Sequence, residues 1–268
     1  TGPRGVGKTS LARILAKSLN CVNGPTITPC NSCSNCAEIT AGTSPDVIEI
    51  DGASNTSVDD IRELQHELLY PASGSKYKIY IIDEVHMLSK NAFNALLKTL
   101  EEPPDNVIFI FATTEPQKVL PTIISRCQRY DFKRIPIDSI VQRLQEISLM
   151  EGITIDTESL YLIARKADGG MRDALSLMDQ AISYCMNNIT IDKVRQIFSV
   201  IPNQIYHNFL TLIYEKNAQT LINELHQIFE QGIDLQEFIS GMQDFIRILL
   251  LRKLQVQIKY INQDEQVI

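Results

Sequence analysis

Gly2-Pro3-Arg4-Gly5-Val6-Gly7-Lys8-Thr9 fits the pattern G-x-x-x-x-G-K-[ST] without a mismatch. Glycines let the backbone curl so that several N–H groups face one point, and a triphosphate is the anion that such a nest suits. In this reading Gly2, Gly5, Gly7, Lys8, Thr9 and Ser10 form the candidate nucleotide-binding set. Lys8 reaches the β- and γ-phosphates, and the Thr9 hydroxyl binds Mg²⁺. A loop of this kind normally follows a buried strand. No residue precedes Thr1, so the expectation is a chain cut at its N-terminus, lacking a first strand and part of an adenine site.

A second element supports the first. Ile79-Tyr80-Ile81-Ile82-Asp83-Glu84 is an apolar run ending in two carboxylates, about 75 residues beyond Lys8. Ligands of parallel sheets sit at the carboxyl ends of the strands. Asp83 is therefore expected to hold Mg²⁺ beside the phosphate loop, and Glu84 to orient or deprotonate the attacking water. Taken alone, the two acids would also suit a helix start. The strand candidates are 47–50, 78–82 and 107–111, and the last two read as strands covered on both faces. Between them Ser89 is a candidate N-cap. Phe93, Leu96, Leu97 and Leu100 share one face, read as core packing, and Pro103-Pro104 stop the helix.

Residues 1–135 thus read as an α/β domain with a parallel sheet. From Pro136 to about residue 200 the pattern is helical throughout. Asp138 is a candidate cap for a helix bearing Val141, Leu144 and Ile147, and Gly152 breaks it. A second helix ends at Gly169-Gly170, a third runs on from Met171, and Thr190 is a candidate cap for a fourth. Residues 203–268 are helical again, with Gly232 and Gly241 as weak punctuation and an end that also reads as cut.

The 268 residues carry a net charge of −7 and are 44% apolar, ordinary for a globular chain. That charge excludes a wholly basic nucleic-acid sleeve but not local DNA contacts, and no basic stripe stands out. No apolar run approaches the roughly 18 residues of a membrane helix. A signal peptide could still have stood in the missing N-terminal part, and an intracellular ATP-using protein is the simpler reading.

Four of the six cysteines read Cys21-x8-Cys30-x2-Cys33-x2-Cys36. Two overlapping C-x-x-C turns and an upstream thiol suit a tetrahedral Zn²⁺ with no open position, hence a structural site. A pair of disulfides or redox chemistry at a C-x-x-C are the alternatives, and neither has a supporting context. Cys127 and Cys185 read as core thiols. His66, His86, His207 and His226 show no ligand spacing to the cysteines. His86 is read as structural, buried or on the surface, with a place lining the site as the alternative.

With these elements placed, the chain resembles the ATPase subunits of the bacterial replicative clamp loader, the gamma/tau family of DNA polymerase III, which are AAA+ ATPases. The resemblance rests on the phosphate loop, the cysteines at 21–36, Glu49-Ile50-Asp51-Gly52-Ala53-Ser54 and Asp83-Glu84-Val85-His86-Met87-Leu88. It continues through residues 97–104, Phe111-Ala112-Thr113-Thr114-Glu115-Pro116, Ser125-Arg126-Cys127 and Gly169-Gly170-Met171-Arg172-Asp173.

This resemblance implies an AAA+ core with a zinc-binding insertion (1–135), a helical lid (136–200) and an incomplete helical collar (203–268). It implies that Thr114, or else its neighbour Thr113, senses the γ-phosphate. Arg126 is implied as the finger that reaches a neighbouring subunit's ATP, and Arg172 as a second sensor in cis. Without the resemblance, the threonines simply end a strand, Arg126 pairs with a surface carboxylate and Arg172 is a first-turn surface residue.

The implied partners are other loader subunits in a hetero-oligomeric ring, a pentamer, together with the sliding clamp and primed DNA. Polymerase and helicase join them if a tau-type tail exists. The implied cofactors are ATP, Mg²⁺ and structural Zn²⁺, and the implied location is the cytoplasm, at replication forks. Two alternatives remain at this stage. One is a helicase, because Asp83-Glu84-Val85-His86 also fits D-E-x-H. The other is a non-hydrolysing, delta-prime-like loader subunit, against which Lys8, Thr9 and Glu84 argue. No carboxylate constellation suits nucleotidyl transfer, so DNA-directed DNA polymerase activity would belong to the holoenzyme.

Overall fold

The computed structural model describes residues 1–54, 70–186, 188–198, 200–230 and 234–254, and Leu64, His66 and Leu68 individually. The chain divides into two compact units, residues 1–140 with 164–176, and residues 141–163 with 177–268.

In the first unit, α1 (Lys8–Asn20) and α2 (Ser34–Ala41) precede β1 (Val47–Asp51) and β2 (Lys78–Asp83). Next come α3 (Lys90–Glu101), β3 (Val107–Phe111) and the short α4 (Pro121–Ile124). The strands form a parallel sheet in the order β1-β2-β3. Central β2 is apolar from Ile79 to Ile82 because both of its faces are covered. Ile79 and Ile81 pack with Ala12, Ala16, Ile39 and Val47 on one side. Tyr80 and Ile82 pack with Phe93, Leu96 and Ile123 on the other, since successive strand side chains alternate.

The expectation of full cover fails for β3, whose five residues are all only half-buried. It is an edge strand among the described residues. Ser89 caps α3 as expected, its side chain accepting the Ala92 N–H, and Phe93, Leu96, Leu97 and Leu100 all join the core. Cys127 packs against that cluster, and burial pushes its thiol pKa up.

Two buried polar side chains tie the loops to the sheet. The Asn20 amide donates to the Tyr77 carbonyl at 2.8 Å and accepts the Tyr77 N–H at 2.9 Å, pairing with the chain as a strand would. Asp46, buried just before β1, accepts the N–H groups of Ser73, Gly74 and Ser75 at 2.7, 2.9 and 2.9 Å. Together these clamp the entrances of β1 and β2, and so set their register.

Three helices cross the division between the units: α5 (Ile137–Met150), α6 (Thr157–Lys166) and α7 (Met171–Cys185). α5 starts at Ile137, so Asp138 lies inside the first turn rather than capping it. There its charge still favours the positive end of the helix.

The second unit is not wholly helical as expected. β4 (Thr154–Ile155) and β5 (Asn188–Ile189) form a short parallel pair, where isoleucines and a threonine favour extended backbone. Thr190 stands at the N-cap of α8 (Ile191–Ile197), but its side chain makes no capping bond. Asp156 replaces it. Its Oδ2 accepts the Ile191 N–H at 2.8 Å while Oδ1 accepts the Ser159 N–H in the first turn of α6 at 2.7 Å. One carboxylate thus caps two helices. Cys185 is buried, as a core thiol should be.

Beyond these lie α9 (Asn203–Tyr214), α10 (Ala218–Glu230) and α11 (Leu235–Lys253). Their core gathers Tyr206, Phe209, Ile228, Phe238 and Phe245. Gly241 does not punctuate this region but sits inside continuous α11. A Cβ there would lie 2.0 Å from the Tyr206 hydroxyl, so the glycine makes room for a buried ring. Gly232 and residues 255–268 lie outside the described residues.

Asp46→Asn is expected to lower stability by about 1–3 kcal/mol at pH 7, since it removes a buried charged acceptor from three backbone amides. Burial, the largest single influence on Asp46, acts to raise its pKa, but the amides together hold it below the ordinary value. Its stabilisation is therefore complete above about pH 4 and lost as pH falls through the lower folded value. Denaturant unfolding of both proteins at pH 7 and near pH 3 checks this. The gap should narrow in acid, and superimposable curves at pH 7 would refute the assignment.

Candidate nucleotide and metal sites

The register that pairs Asp51 with Asp83 brings β1 and β2 to a common end. The phosphate-loop motif meets them there. Gly5 and Gly7 have φ of +73° and +95°, a left-handed region that side chains rarely adopt, so this curl requires glycine. Gly7 is the N-cap of α1, whose first residues are Lys8 and Thr9. Gly2 passes close to Phe132, and its N–H donates to the Thr113 carbonyl at 3.2 Å.

Lys8 Nζ donates to the Gly2 and Pro3 carbonyls at 2.9 and 2.8 Å. Burial lowers its pKa, Glu84 and Asp83 oppose that shift, and Arg172 adds to it. Thr9 Oγ1 donates to Asp83 Oδ2 at 2.6 Å, which brings the two candidate cation ligands together. Ser10 follows, exposed, in the first turn of α1.

Glu84 adopts φ +44°, ψ +45°, which costs a non-glycine residue roughly 1–2 kcal/mol. Two bonds hold it there. Its N–H donates to Asp83 Oδ1 at 2.9 Å, and the next N–H, of Val85, donates to the Ala112 carbonyl at 3.0 Å. This turn re-aims the Glu84 side chain toward the end of β3. Its Oε2 accepts both the N–H and the hydroxyl of Thr114, at 3.1 and 3.0 Å. The two adjacent threonines are thereby separated. Thr114 meets the acid, while buried Thr113 accepts the Glu115 N–H and lies 3.0 Å from His86 Nδ1. His86, read from sequence as structural, is drawn in among these groups. No spacing rule marks it, because the turn at Glu84 decides where it points.

Arg172 is the second residue of α7 and is exposed. The N–H groups of Met171 and Arg172 both donate to the Gly5 carbonyl, at 2.9 and 3.3 Å, so the phosphate loop itself caps this helix. Arg126 stands apart from these groups. Its guanidinium donates to Glu101 Oε1 and to the Thr122 carbonyl, each at 2.7 Å, and its side chain is 35% exposed.

The four cysteines converge. The Sγ atoms of Cys21, Cys30, Cys33 and Cys36 all lie within 4.8 Å of one another. Tetrahedral Zn–S bonds of about 2.3 Å would place sulfurs a little under 4 Å apart, so the set fits this metal with modest tightening. Cys33 occupies the N-cap of α2, and Cys36 lies in its first turn. Hydrogen bonds from Ser32 and then the Cys33 amide draw the Cys30 thiol down to about 6, while burial pushes Cys36 up to about 12. All six cysteines are free thiols.

Residues 1–136 match the family described as DNA polymerase III, delta subunit. Residues 139–187 match the clamp loader subunit ATPase lid domain, and 189–266 match subunits gamma and tau domain III. The DNA polymerase III subunit tau of Bacillus subtilis is 48% identical over 253 residues, covering 94% of this chain and 45% of that protein. The tau subunit of Escherichia coli is 43% identical, covering 90% of this chain and 38% of its own length. The gamma subunit of Buchnera aphidicola subsp. Acyrthosiphon pisum is 42% identical over 92% of this chain and 68% of its own. The chain therefore spans less than half the length of these tau relatives. Among solved structures, the Thermotoga maritima RuvB Holliday junction branch migration motor superposes with a TM-score of 0.54 at 17% identity, over 88% of this chain and 75% of that one. That likeness shows the fold alone, a parallel-sheet domain followed by helices. Among the described residues, no helix is long and apolar enough to cross a membrane.

Gly52, which follows β1, donates its N–H to the Asp83 carbonyl at 2.8 Å. A Cβ there would lie 2.8 Å from the Glu84 carbonyl oxygen and 2.9 Å from that of Asp83. Gly52→Ala is expected to cost about 1–3 kcal/mol by forcing the acidic turn away from β1. Denaturant unfolding reads this directly, and a loss below about 0.5 kcal/mol would show that the turn yields freely.

Proposed function

The chain belongs to the gamma/tau family of DNA polymerase III clamp loader subunits, and on that premise we propose that it is an ATP-hydrolysing motor of the replicative clamp loader. One observation carries this reading: Lys8, Thr9, Asp83, Glu84 and Thr114 converge at the carboxyl end of the sheet. Gly2, Gly5 and Gly7 shape a loop whose N–H groups receive phosphates, beside Ser10 at the start of α1. Lys8 and Arg172, which act on each other electrostatically, supply positive charge where the β- and γ-phosphates lie. Thr9 and Asp83 hold Mg²⁺, which neutralises charge developing on the phosphoryl oxygens. Glu84 orients or deprotonates the attacking water, and Thr114, bonded to the same carboxylate, reports the γ-phosphate to it.

Arg126 acts in trans. Its exposed guanidinium would exchange Glu101 for the ATP of a neighbouring subunit, where its planar fork stabilises spread charge. The four cysteines hold one structural Zn²⁺ that staples a segment poor in apolar side chains. The domain reading is an ATPase core at 1–135, a lid at 136–200 and a collar at 203–268. The partners are loader subunits in a hetero-oligomeric ring, a pentamer, with the sliding clamp and primed DNA. Polymerase and helicase join if a tau-type tail exists, and the setting is the cytoplasm. ATP binding closes the ring on the clamp, and hydrolysis releases the clamp onto DNA.

ATP turnover by the protein with its loader subunits should rise strongly only when clamp and primed DNA are both present. Turnover indifferent to both would overturn the loader reading. Glu84→Gln should keep ATP binding and lower turnover by roughly 10²–10⁴-fold. Arg126→Ala should abolish DNA-stimulated turnover while sparing ATP binding by the same subunit, and equal loss of both would sink the trans role.

Purified protein should carry about one zinc per chain. Cys30→Ser with Cys33→Ser should lose that metal and lower the melting temperature. A metal-free wild type that melts at the same temperature with and without added zinc would remove the staple.

A further inference from the structure

His86 is a buried titratable side chain to which the reaction above gives no task. It follows Glu84 by two residues, on the tight turn Val85–Met87, and its side chain is 6% exposed. Its ring does not face hydrocarbon. Nδ1 lies 3.3 Å from Glu84 Oε2 and 3.0 Å from Thr113 Oγ1. Nε2 lies 3.4 Å from Glu115 Oε1, which also takes the Lys118 ammonium at 2.8 Å. Glu115 is fixed in turn, since its N–H donates to Thr113 Oγ1. The left-handed backbone at Glu84 folds the chain so that a residue only two positions on returns to the acid it follows.

A general base needs one oxygen aimed at water, and that requires holding the other. The last torsion of a glutamate is broad and roughly two-fold, so the side chain cannot orient its own carboxylate. Thr114 holds Glu84 Oε2 with two donors. The imidazole stands against the same oxygen and is itself braced by Thr113 and Glu115. Oε1 makes no hydrogen bond among the described residues and is the oxygen left for water.

We propose that His86 is a positioning residue for Glu84: braced by Thr113 and Glu115, its ring fixes the Oε2 side of the Glu84 carboxylate so that Oε1 meets the attacking water. This rests on the ATPase reading above. The role is orientation, so it acts on the chemical step and leaves nucleotide affinity alone.

The test uses the loader assembly with clamp and primed DNA, reading kcat by phosphate release and ATP affinity by equilibrium binding. His86→Ala is expected to lower kcat about ten- to a hundred-fold, with ATP affinity within about threefold of wild type. His86→Asn keeps a donor near the Nδ1 position and should recover most of the lost rate. His86→Gln places its amide toward Glu115 and should recover less. In a Glu84→Gln background, His86→Ala should change kcat no further, because the group it positions has gone.

If His86→Ala does not fold, Glu115→Gln loosens the brace from the surface and should lower kcat about two- to fivefold at unchanged affinity. An unchanged kcat in His86→Ala, or in Glu115→Gln where that variant stands in, overturns the proposal. So does a loss carried by ATP affinity, or one that persists undiminished in the Glu84→Gln background. Wild-type turnover abolished by Glu84→Gln but not touched by His86→Ala would end the His86 role alone. A wild type without turnover would remove the ATPase reading and this proposal together.

Discussion

The Asp83 carboxylate is the joint on which the site depends. Oδ2 takes the hydroxyl of Thr9 from the phosphate loop, and Oδ1 takes the backbone N–H of Glu84. One side chain therefore fastens the start of α1 to the end of β2 and also stabilises the left-handed turn that aims Glu84. Neither oxygen could be lost without releasing one side of the site. The position of Asp83 is itself a consequence of the sheet. β2 is the central strand, sealed on both faces by alternating side chains, so its end is the least free to move.

Around that joint, the fold solves several backbone problems with few side chains. Asn20 and Asp46 complete the hydrogen bonding of loops at the entrances of β2 and β1, away from the site. The Gly5 carbonyl satisfies the first N–H groups of α7. This last arrangement makes the phosphate loop and the start of a helix share one acceptor, so a change in the loop's backbone is felt at once by Arg172. The cysteine cluster sits between α1 and β1 in sequence, with its last two thiols at the beginning of α2. Backbone N–H groups, first of Val22 and then of Cys36, favour the thiolate at Cys33, while burial acts against it at Cys36.

Much of this was legible along the chain. The three strands, the Ser89 cap, the cysteine set and the pairing of Lys8 with Asp83-Glu84 follow from local patterns, because each depends on the spacing of a few neighbouring residues. The failures have the opposite cause, contacts between residues far apart in sequence. Asp156 took over the capping of α8 from Thr190 across 35 positions of sequence. Gly241 looked like a helix break because the Tyr206 ring that demands it lies on another helix. β3 looked doubly covered because its composition matches that of β2, while cover depends on which strand is central.

By itself, the sequence determined the class of fold, the family and the candidate groups for phosphate, magnesium and zinc. Those rest on residue type and short-range spacing, which one dimension preserves. Only the tertiary structure decided which threonine meets Glu84, where His86 points, and that Arg126 is held by Glu101 away from the phosphate loop. These are questions of direction. They turn on a single left-handed residue at 84 and on the register of a parallel sheet, and a shift of one position in either would exchange the roles of adjacent side chains.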